Sequence, residues 1–128
     1  MSVKARIAGI QQLKPGEVVG YGMRYTAISP RRIAVLPIGY GDGVRRALSN
    51  NSDVLIGGRR YPLVGTVSMD NVTVEVFAED AVRCGDPVTL IGADGRERVT
   101  AEELARRIGT INYEIACGIS ARVPREHV

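Results

Sequence analysis

The feature that most constrains the fold is a series of short apolar segments separated by glycine and proline. Apolar and polar residues alternate over 72–76, which predicts a strand with one buried face. The continuous apolar run 33–38 predicts a strand covered on both faces. Gly57-Gly58 separates two further apolar segments, a pattern typical of a β-hairpin. Many short strands of this kind predict a mostly-β barrel or sandwich.

One segment has a helical pattern instead. Thr100 and Glu103 have the spacing of a capping box, and the apolar residues of 101–108 fall on one helical face. Gly109 is the expected C-terminal stop. We expect the last strand over 119–128. The pattern therefore predicts a mostly-β domain, a small β-barrel or a sandwich, with one short helix.

Composition limits the class of protein. The chain has 128 residues, enough for one domain with a core. No run of 18 apolar residues predicts a membrane span, and Lys4 and Arg6 interrupt the early apolar stretch where a signal peptide would lie. Two cysteines, Cys84 and Cys117, are too few for a disulfide framework. We therefore expect a cytoplasmic protein without a membrane partner.

The net charge of +3 comes from arginines scattered along the chain. A salt-bridged, solvated surface explains such a pattern, whereas nucleic-acid binders concentrate basic residues on one stripe. Composition alone leaves open a small basic β-barrel that binds single-stranded nucleic acid. We expect no nucleic-acid partner.

Several kinds of catalytic site are disfavoured. The single histidine, His127, stands beside the C-terminus, so neither a zinc site nor a nucleophile activated by histidine is expected. The glycine-rich segment 39–43 lacks the spacing of a phosphate-binding loop. A tight turn that presents Tyr40 and Asp42 is the better interpretation. No metal is expected.

Two tyrosines are flanked by glycine on both sides, Tyr21 and Tyr40. Small neighbours let a phenol stand clear of the backbone surface, as a reactive group requires. The same spacing also suits turn tyrosines that cap a barrel, and the spacing by itself leaves both interpretations open.

Four motifs in order carry a resemblance to a known family. The chain is similar to the C-terminal β-domain of bacterial alanine racemases from about Val3 to its end, and the agreement covers both order and spacing. The motifs are Gly20-Tyr21-Gly22-Met23-Arg24-Tyr25, Pro37-Ile38-Gly39-Tyr40-Gly41-Asp42-Gly43, Gly65-Thr66-Val67-Ser68-Met69-Asp70, and Thr110-Ile111-Asn112-Tyr113-Glu114 with Arg122-Val123-Pro124-Arg125.

The resemblance implies a role for individual residues. Tyr21 resembles the catalytic tyrosine, which exchanges a proton on one face of the substrate while a cofactor lysine serves the other. Met69 resembles the residue whose backbone N–H meets the substrate carboxylate, with Asp70 beside it. What activates Tyr21 as a base stays open, since Arg24 is near only in sequence.

Other residues would surround these. Tyr113 looks like a tyrosine on the cofactor-phosphate side, Tyr40 like one at the substrate entrance, and Arg46 like a polar residue farther out. Two positions depart from the family pattern, where many members carry Arg at Thr66 and Cys at Ser68. The first puts the charge of the entrance corridor in doubt.

The resemblance also implies that 1–128 is one domain of a larger enzyme. In the family, an N-terminal α/β barrel binds pyridoxal 5'-phosphate, and head-to-tail homodimers complete each active site. Lys4 and Lys14, the only lysines here, lie in a solvent-facing strand pattern and beside a turn, so neither suits a buried cofactor lysine. The implied reaction is conversion of L-alanine to D-alanine for cell-wall peptidoglycan, with the isolated domain inactive. A racemase for serine or several amino acids, and an amino-acid decarboxylase, remain alternatives.

Overall fold

The computed structural model describes residues 1–19, 25–27, 31–77 and 80–126. These residues form ten strands and two α-helices. The strands are β1 (Val3–Arg6), β2 (Gly9–Leu13), β3 (Val18–Val19), β4 (Tyr25–Thr26), β5 (Arg31–Leu36), β6 (Asp53–Ile56), β7 (Arg59–Val64), β8 (Val72–Val76), β9 (Pro87–Asp94) and β10 (Glu97–Val99), and the helices are α1 (Ala101–Ile108) and α2 (Asn112–Cys117). The mostly-β class predicted from sequence is confirmed.

One antiparallel sheet organises the domain. Its strands follow the order β1-β9-β6-β7-β8-β5-β2, with β10 beside β9, while β3 and β4 form a separate pair. The two ends of this order, β1 and β2, are consecutive in the chain. Between them, the Ile7 N–H donates to Asp86 O at 3.0 Å and the Ala8 N–H donates to Val35 O at 2.8 Å. One bent segment therefore lies along both ends of the sheet.

This arrangement does not confirm the predicted β-barrel. In the described part of the chain, no ladder joins β1 to β2, so the sheet is open in its hydrogen bonding. The reason is the switch at Ile7 and Ala8, where the chain leaves its pairing with β9 and takes up pairing with β5. Covalent continuity, rather than a hydrogen-bonded ladder, joins the two ends.

The core lies against the sheet as the alternation predicts. In β8, Val72, Val74 and Val76 are buried and the residues between them are half-buried. In β5, Ile33, Ala34 and Leu36 are buried, which agrees with a strand covered on both faces. These strands pair directly with each other, with Leu36 opposite Val72.

The predicted helix is present. The Thr100 side chain accepts a hydrogen bond from the Glu103 N–H at 3.1 Å, and Gly109 ends α1 in the left-handed conformation. Leu104 and Ala105 are the buried residues of its inner face. The second helix, α2, was not predicted, because it has only six residues and no side-chain cap.

A cluster of charges holds α1 to the hairpin formed by β6 and β7. The Arg60 guanidinium contacts Glu103 at 2.8 Å, Glu97 at 3.0 Å and Asp53 at 3.2 Å. Arg107 contacts Glu103 at 3.3 Å and Asp53 at 3.5 Å. Two arginines and three carboxylates thus form one network. These contacts agree with the expected salt-bridged arginine surface.

The expected last strand over 119–128 is wrong over the described residues 119–126, which form turns and irregular chain. Arg125 explains the difference. Its guanidinium donates to the carbonyl oxygens of Ser120 at 2.6 Å, Val123 at 2.7 Å and Ile119 at 2.9 Å. Those bonds fold the segment back on itself and use carbonyl groups that a strand would offer to a neighbour.

No α-helix within the described ranges is long and apolar enough to cross a membrane.

Candidate active site

A tight turn presents Tyr40. The segment Tyr40–Asp42 forms a short 3-10 helix, and the Gly39 N–H donates to the Asp42 carboxylate at 3.0 Å. Gly43 follows with a φ of 115°, a conformation that favours glycine. Asp42 is buried, whereas Tyr40 is 47% exposed. The turn therefore holds the phenol at the surface.

The loop after β7 packs against this turn through backbone hydrogen bonds. The Tyr40 N–H donates to Ser68 O at 2.9 Å, and the Gly41 N–H donates to Met69 O at 2.9 Å. A side chain at Gly39 would overlap the Ser68 carbonyl oxygen and lie 2.6 Å from the Met69 carbonyl carbon. Glycine at this position permits the close approach of the two backbones.

The loop is also closed on itself. The Ser68 hydroxyl donates to Asn71 O at 2.9 Å and accepts from the Asn71 N–H at 3.0 Å. This fixes the backbone on either side of Met69 and Asp70. The Met69 N–H has no hydrogen-bond partner among the residues that the structure describes, so it can donate to a ligand.

The turn and the loop form a cleft of about 360 Å³. It brings together four of the predicted site residues, Tyr40, Arg46, Met69 and Asp70. Its remaining lining residues are Val67, Ser68 and Asn71. The cleft thus brings a phenol, a guanidinium and a carboxylate together.

Arg122 belongs to the same site, although the sequence analysis did not select it. Its guanidinium contacts Asp70 at 2.6 Å and Asp42 at 3.3 Å. The hydrogen bond that Arg122 donates to Asp70 and the charge of Asp42 raise the pKa of Arg122 above its ordinary value. Its place in the Arg122-Val123-Pro124-Arg125 motif was the available signal, but only the fold shows its partners.

Tyr113 does not join this cleft. It lies on α2, is 71% exposed and lines a separate open groove of about 950 Å³. That groove also contains residues of β9, Arg98 of β10 and residues of the C-terminal segment, including Arg125. Within this chain, the structure therefore separates Tyr113 from the other predicted site residues.

Tyr21, Arg24 and His127 lie outside the described residues. The role of Tyr21 therefore stays a prediction. Within the described ranges, no group of three or more His, Cys, Asp or Glu side chains is placed to hold a metal ion.

Comparison with known proteins decides the family. The family model of the alanine racemase C-terminal domain matches residues 1–127. The chain belongs to this family. The resemblance inferred from the four motifs is therefore confirmed over almost the whole chain.

Alanine racemases are longer than this domain. An alanine racemase of Symbiobacterium thermophilum is 51% identical over 122 residues, which are 95% of this chain and 32% of that protein. The chain therefore spans about a third of the length of the relatives it matches.

Solved structures have the same fold. The crystal structure of alanine racemase from E. faecalis matches with a TM-score of 0.92 and 38% identity, over 98% of this chain and 33% of the other. That of Bartonella henselae alanine racemase, with covalently bound pyridoxal phosphate, has a TM-score of 0.91 and 30% identity. This match covers 99% of this chain and 34% of the other.

Proposed function

We propose that this chain is the C-terminal domain of a pyridoxal-phosphate-dependent enzyme that interconverts L- and D-alanine. The observation that carries the proposal is the cleft of Tyr40, Arg46, Met69 and Asp70 in a chain of the alanine racemase family. The D-alanine product would serve peptidoglycan synthesis. We also propose a cytoplasmic location, for which the free thiols of Cys84 and Cys117 give support.

In this proposal, Tyr21 exchanges the substrate α-proton on one face. A tyrosine phenol has an ordinary pKa of ~10, so at neutral pH it is protonated and ready to donate. Removing a proton requires surroundings that favour the phenolate, such as nearby positive charge. We propose that the rest of the enzyme supplies those surroundings, on the family resemblance.

The cleft of this chain would bind the substrate carboxylate. The Met69 N–H, which has no partner in the described part of the chain, is the proposed donor. A backbone donor on a loop fixed by Ser68 and Asn71 is preorganised, so binding costs little reordering. Tyr40 and Arg46 would line the entrance to the site.

The cofactor would be bound outside this chain. Pyridoxal phosphate, when bound, stabilises negative charge at the substrate α-carbon. A lysine that binds its aldehyde is activated by desolvation, but Lys4 and Lys14 are both exposed. Neither residue fits that role. The phenol of Tyr113, exposed on α2, is proposed to reach the cofactor phosphate.

The partners would be an N-terminal α/β barrel and a second subunit in a head-to-tail homodimer. Several large side chains that a single domain would bury are exposed: Met69 at 51% in the cleft, and Ile111 at 60% and Tyr113 at 71% at the start of α2. Exposed apolar side chains of this kind are common at surfaces that contact another domain. They lie in two places, which suits contacts with two partners.

The test is to express the intact gene product and measure the interconversion of D- and L-alanine by chiral chromatography. We expect racemisation of alanine that depends on added pyridoxal phosphate after the cofactor has been removed. Serine should be compared in the same assay, because the residues that select the side chain lie mostly outside this chain. Decarboxylation without racemisation would contradict the proposal.

A further inference from the structure

One guanidinium joins three segments that are distant in the sequence. Arg122, in the C-terminal segment, contacts the carboxylates of Asp42 in the Tyr40 turn and Asp70 in the Met69 loop. The Ser120 N–H donates to Asp42 O at 3.0 Å, which adds a second contact between the C-terminal segment and the turn. Contacts with the Tyr40 turn and with the Met69 loop therefore fix the position of Arg122.

Gly41 leaves space for this guanidinium. A side chain at Gly41 would overlap the Arg122 terminal nitrogen and lie 3.1 Å from Met69 O. The guanidinium thus lies directly on the backbone that bonds to the Met69 loop. Only an arginine presents a planar fork that can contact two carboxylates at once, since the lysine ammonium is a point charge.

The Asp70 carboxylate follows directly after Met69 and lines the same cleft. An aspartate side chain without a partner accepts hydrogen bonds from nearby backbone N–H groups. It also repels a second carboxylate at close range. Without Arg122, Asp70 would therefore oppose an incoming carboxylate at the Met69 N–H.

We propose that Arg122 is a positioning residue that engages the Asp70 carboxylate and so keeps the Met69 N–H available to a carboxylate substrate. The proposal rests on the proposed function, because it assigns the substrate carboxylate to this cleft. It predicts a role in substrate binding, with the proton-transfer step left to other groups.

The test is a double-mutant cycle in the intact enzyme, which isolates the coupling between two residues. Arg122→Met is made in the wild-type and in the Asp70→Asn backgrounds, and KM and kcat for alanine are measured. With Asp70 present, we expect KM to rise roughly three- to fivefold and kcat to change less than about twofold. In the Asp70→Asn background, the rise in KM should be less than about twofold.

Arg125→Met is the matched control, because Arg125 lies in the same segment but donates only to backbone carbonyls. Its effect on KM should be equal with and without Asp70→Asn. If Arg122→Met fails to fold, Arg122→Lys replaces it in the same cycle. Lysine keeps the charge but loses the fork, so a rise in KM of roughly two- to threefold that depends on Asp70 is expected.

The outcomes separate this proposal from the proposed function. A wild-type enzyme without racemase activity overturns both. An active enzyme in which the Arg122 substitution changes KM equally in both backgrounds, or leaves KM unchanged, overturns the role of Arg122 alone.

Discussion

The carboxylate of Asp42 accepts a hydrogen bond from the N–H of Gly39 at 3.0 Å, and this bond closes the turn that carries Tyr40. The same carboxylate contacts Arg122 at 3.3 Å. The buried charge is therefore satisfied on two sides, and the turn and the C-terminal segment form one unit. The turn can contact the backbone of Ser68 and Met69 because Gly39 has no side chain.

We expect Gly39→Ala to destabilise the domain by about 2–4 kcal/mol, because the added methyl would meet the backbone of Ser68 and Met69, which cannot move independently. Urea unfolding measures the effect. Gly9→Ala is the control, since a side chain there meets nothing within 4 Å. Equal stability of the two variants would contradict the close backbone contact.

Thr100→Ala should cost about 1 kcal/mol, the usual contribution of a helix N-cap. The Thr100 hydroxyl accepts the Glu103 N–H, which has no other partner in the first turn of α1. Thr100→Ser keeps the hydroxyl and should leave the stability nearly unchanged, because serine caps helices at least as well as threonine. If serine and alanine prove equally destabilising in the same unfolding measurement, the cap does not explain the loss.

The charge cluster around Arg60 makes stability depend on pH. The pKa of Glu103 lies below its ordinary value of 4.5, and the largest cause is the hydrogen bond that Arg60 donates to it. A lowered carboxyl pKa gives stability that is fully present above the unfolded-state value. This stability is lost as the pH falls through the native value. The free energy of unfolding should therefore decrease on acidification below about pH 4.5.

Arg60→Met tests this dependence. At neutral pH it should cost about 1–3 kcal/mol, because three carboxylates lose a half-buried partner. The loss of stability between neutral and acidic pH should become smaller than in the wild type. Arg96→Met, in the exposed turn between β9 and β10, serves as the control and should keep the wild-type profile. A variant at Arg60 with an unchanged pH profile would argue against the cluster.

In the intact enzyme, Tyr21→Phe should slow proton exchange selectively on one face of the substrate, while cofactor binding persists. Deuterium incorporation from D₂O into L- and D-alanine, followed by mass spectrometry, measures each direction. The cofactor absorbance provides the control. Equal loss of exchange from both enantiomers, or no loss, would count against Tyr21 as the acid and base of one face.

The isolated chain should not racemise alanine, even with added pyridoxal phosphate, because Lys4 and Lys14 are exposed and do not fit the cofactor lysine. The same chromatographic assay provides the measurement. Turnover by the chain alone would place a cofactor lysine here after all.

Local patterns predicted much of this fold. The alternation over 72–76 and the run over 33–38 identify strands, since burial on one or both faces leaves its period in the sequence. The cap of α1 is equally local, because Thr100 and Glu103 are three residues apart. The two glycines beside Tyr40 left open whether its phenol stands clear of the surface or caps the fold, and the structure shows a turn tyrosine that is 47% exposed.

Contacts between distant residues could not be predicted in this way. Arg122 and Asp70 are 52 positions apart, and no periodicity joins them. Helix α2 lacks a side-chain cap, so its start has no local signal. The segment 119–126 has a strand-like sequence, but Arg125 occupies carbonyl groups that a strand would offer to a neighbour. The open ends of the sheet also depend on contacts between distant residues. At Ile7 and Ala8 the chain stops pairing with β9 and begins pairing with β5.

The bent segment of β1 and β2 has a consequence for synthesis on the ribosome. Val3 pairs with Ile91, so the first strand finds its partner only when most of the domain has been translated. Until then, the edge that β1 will cover remains available to other chains, a known hazard of unpaired strands. Contacts between such distant residues also slow folding, because a long loop must close first. The pairing edge of β1 therefore stays uncovered until β9 has left the exit tunnel.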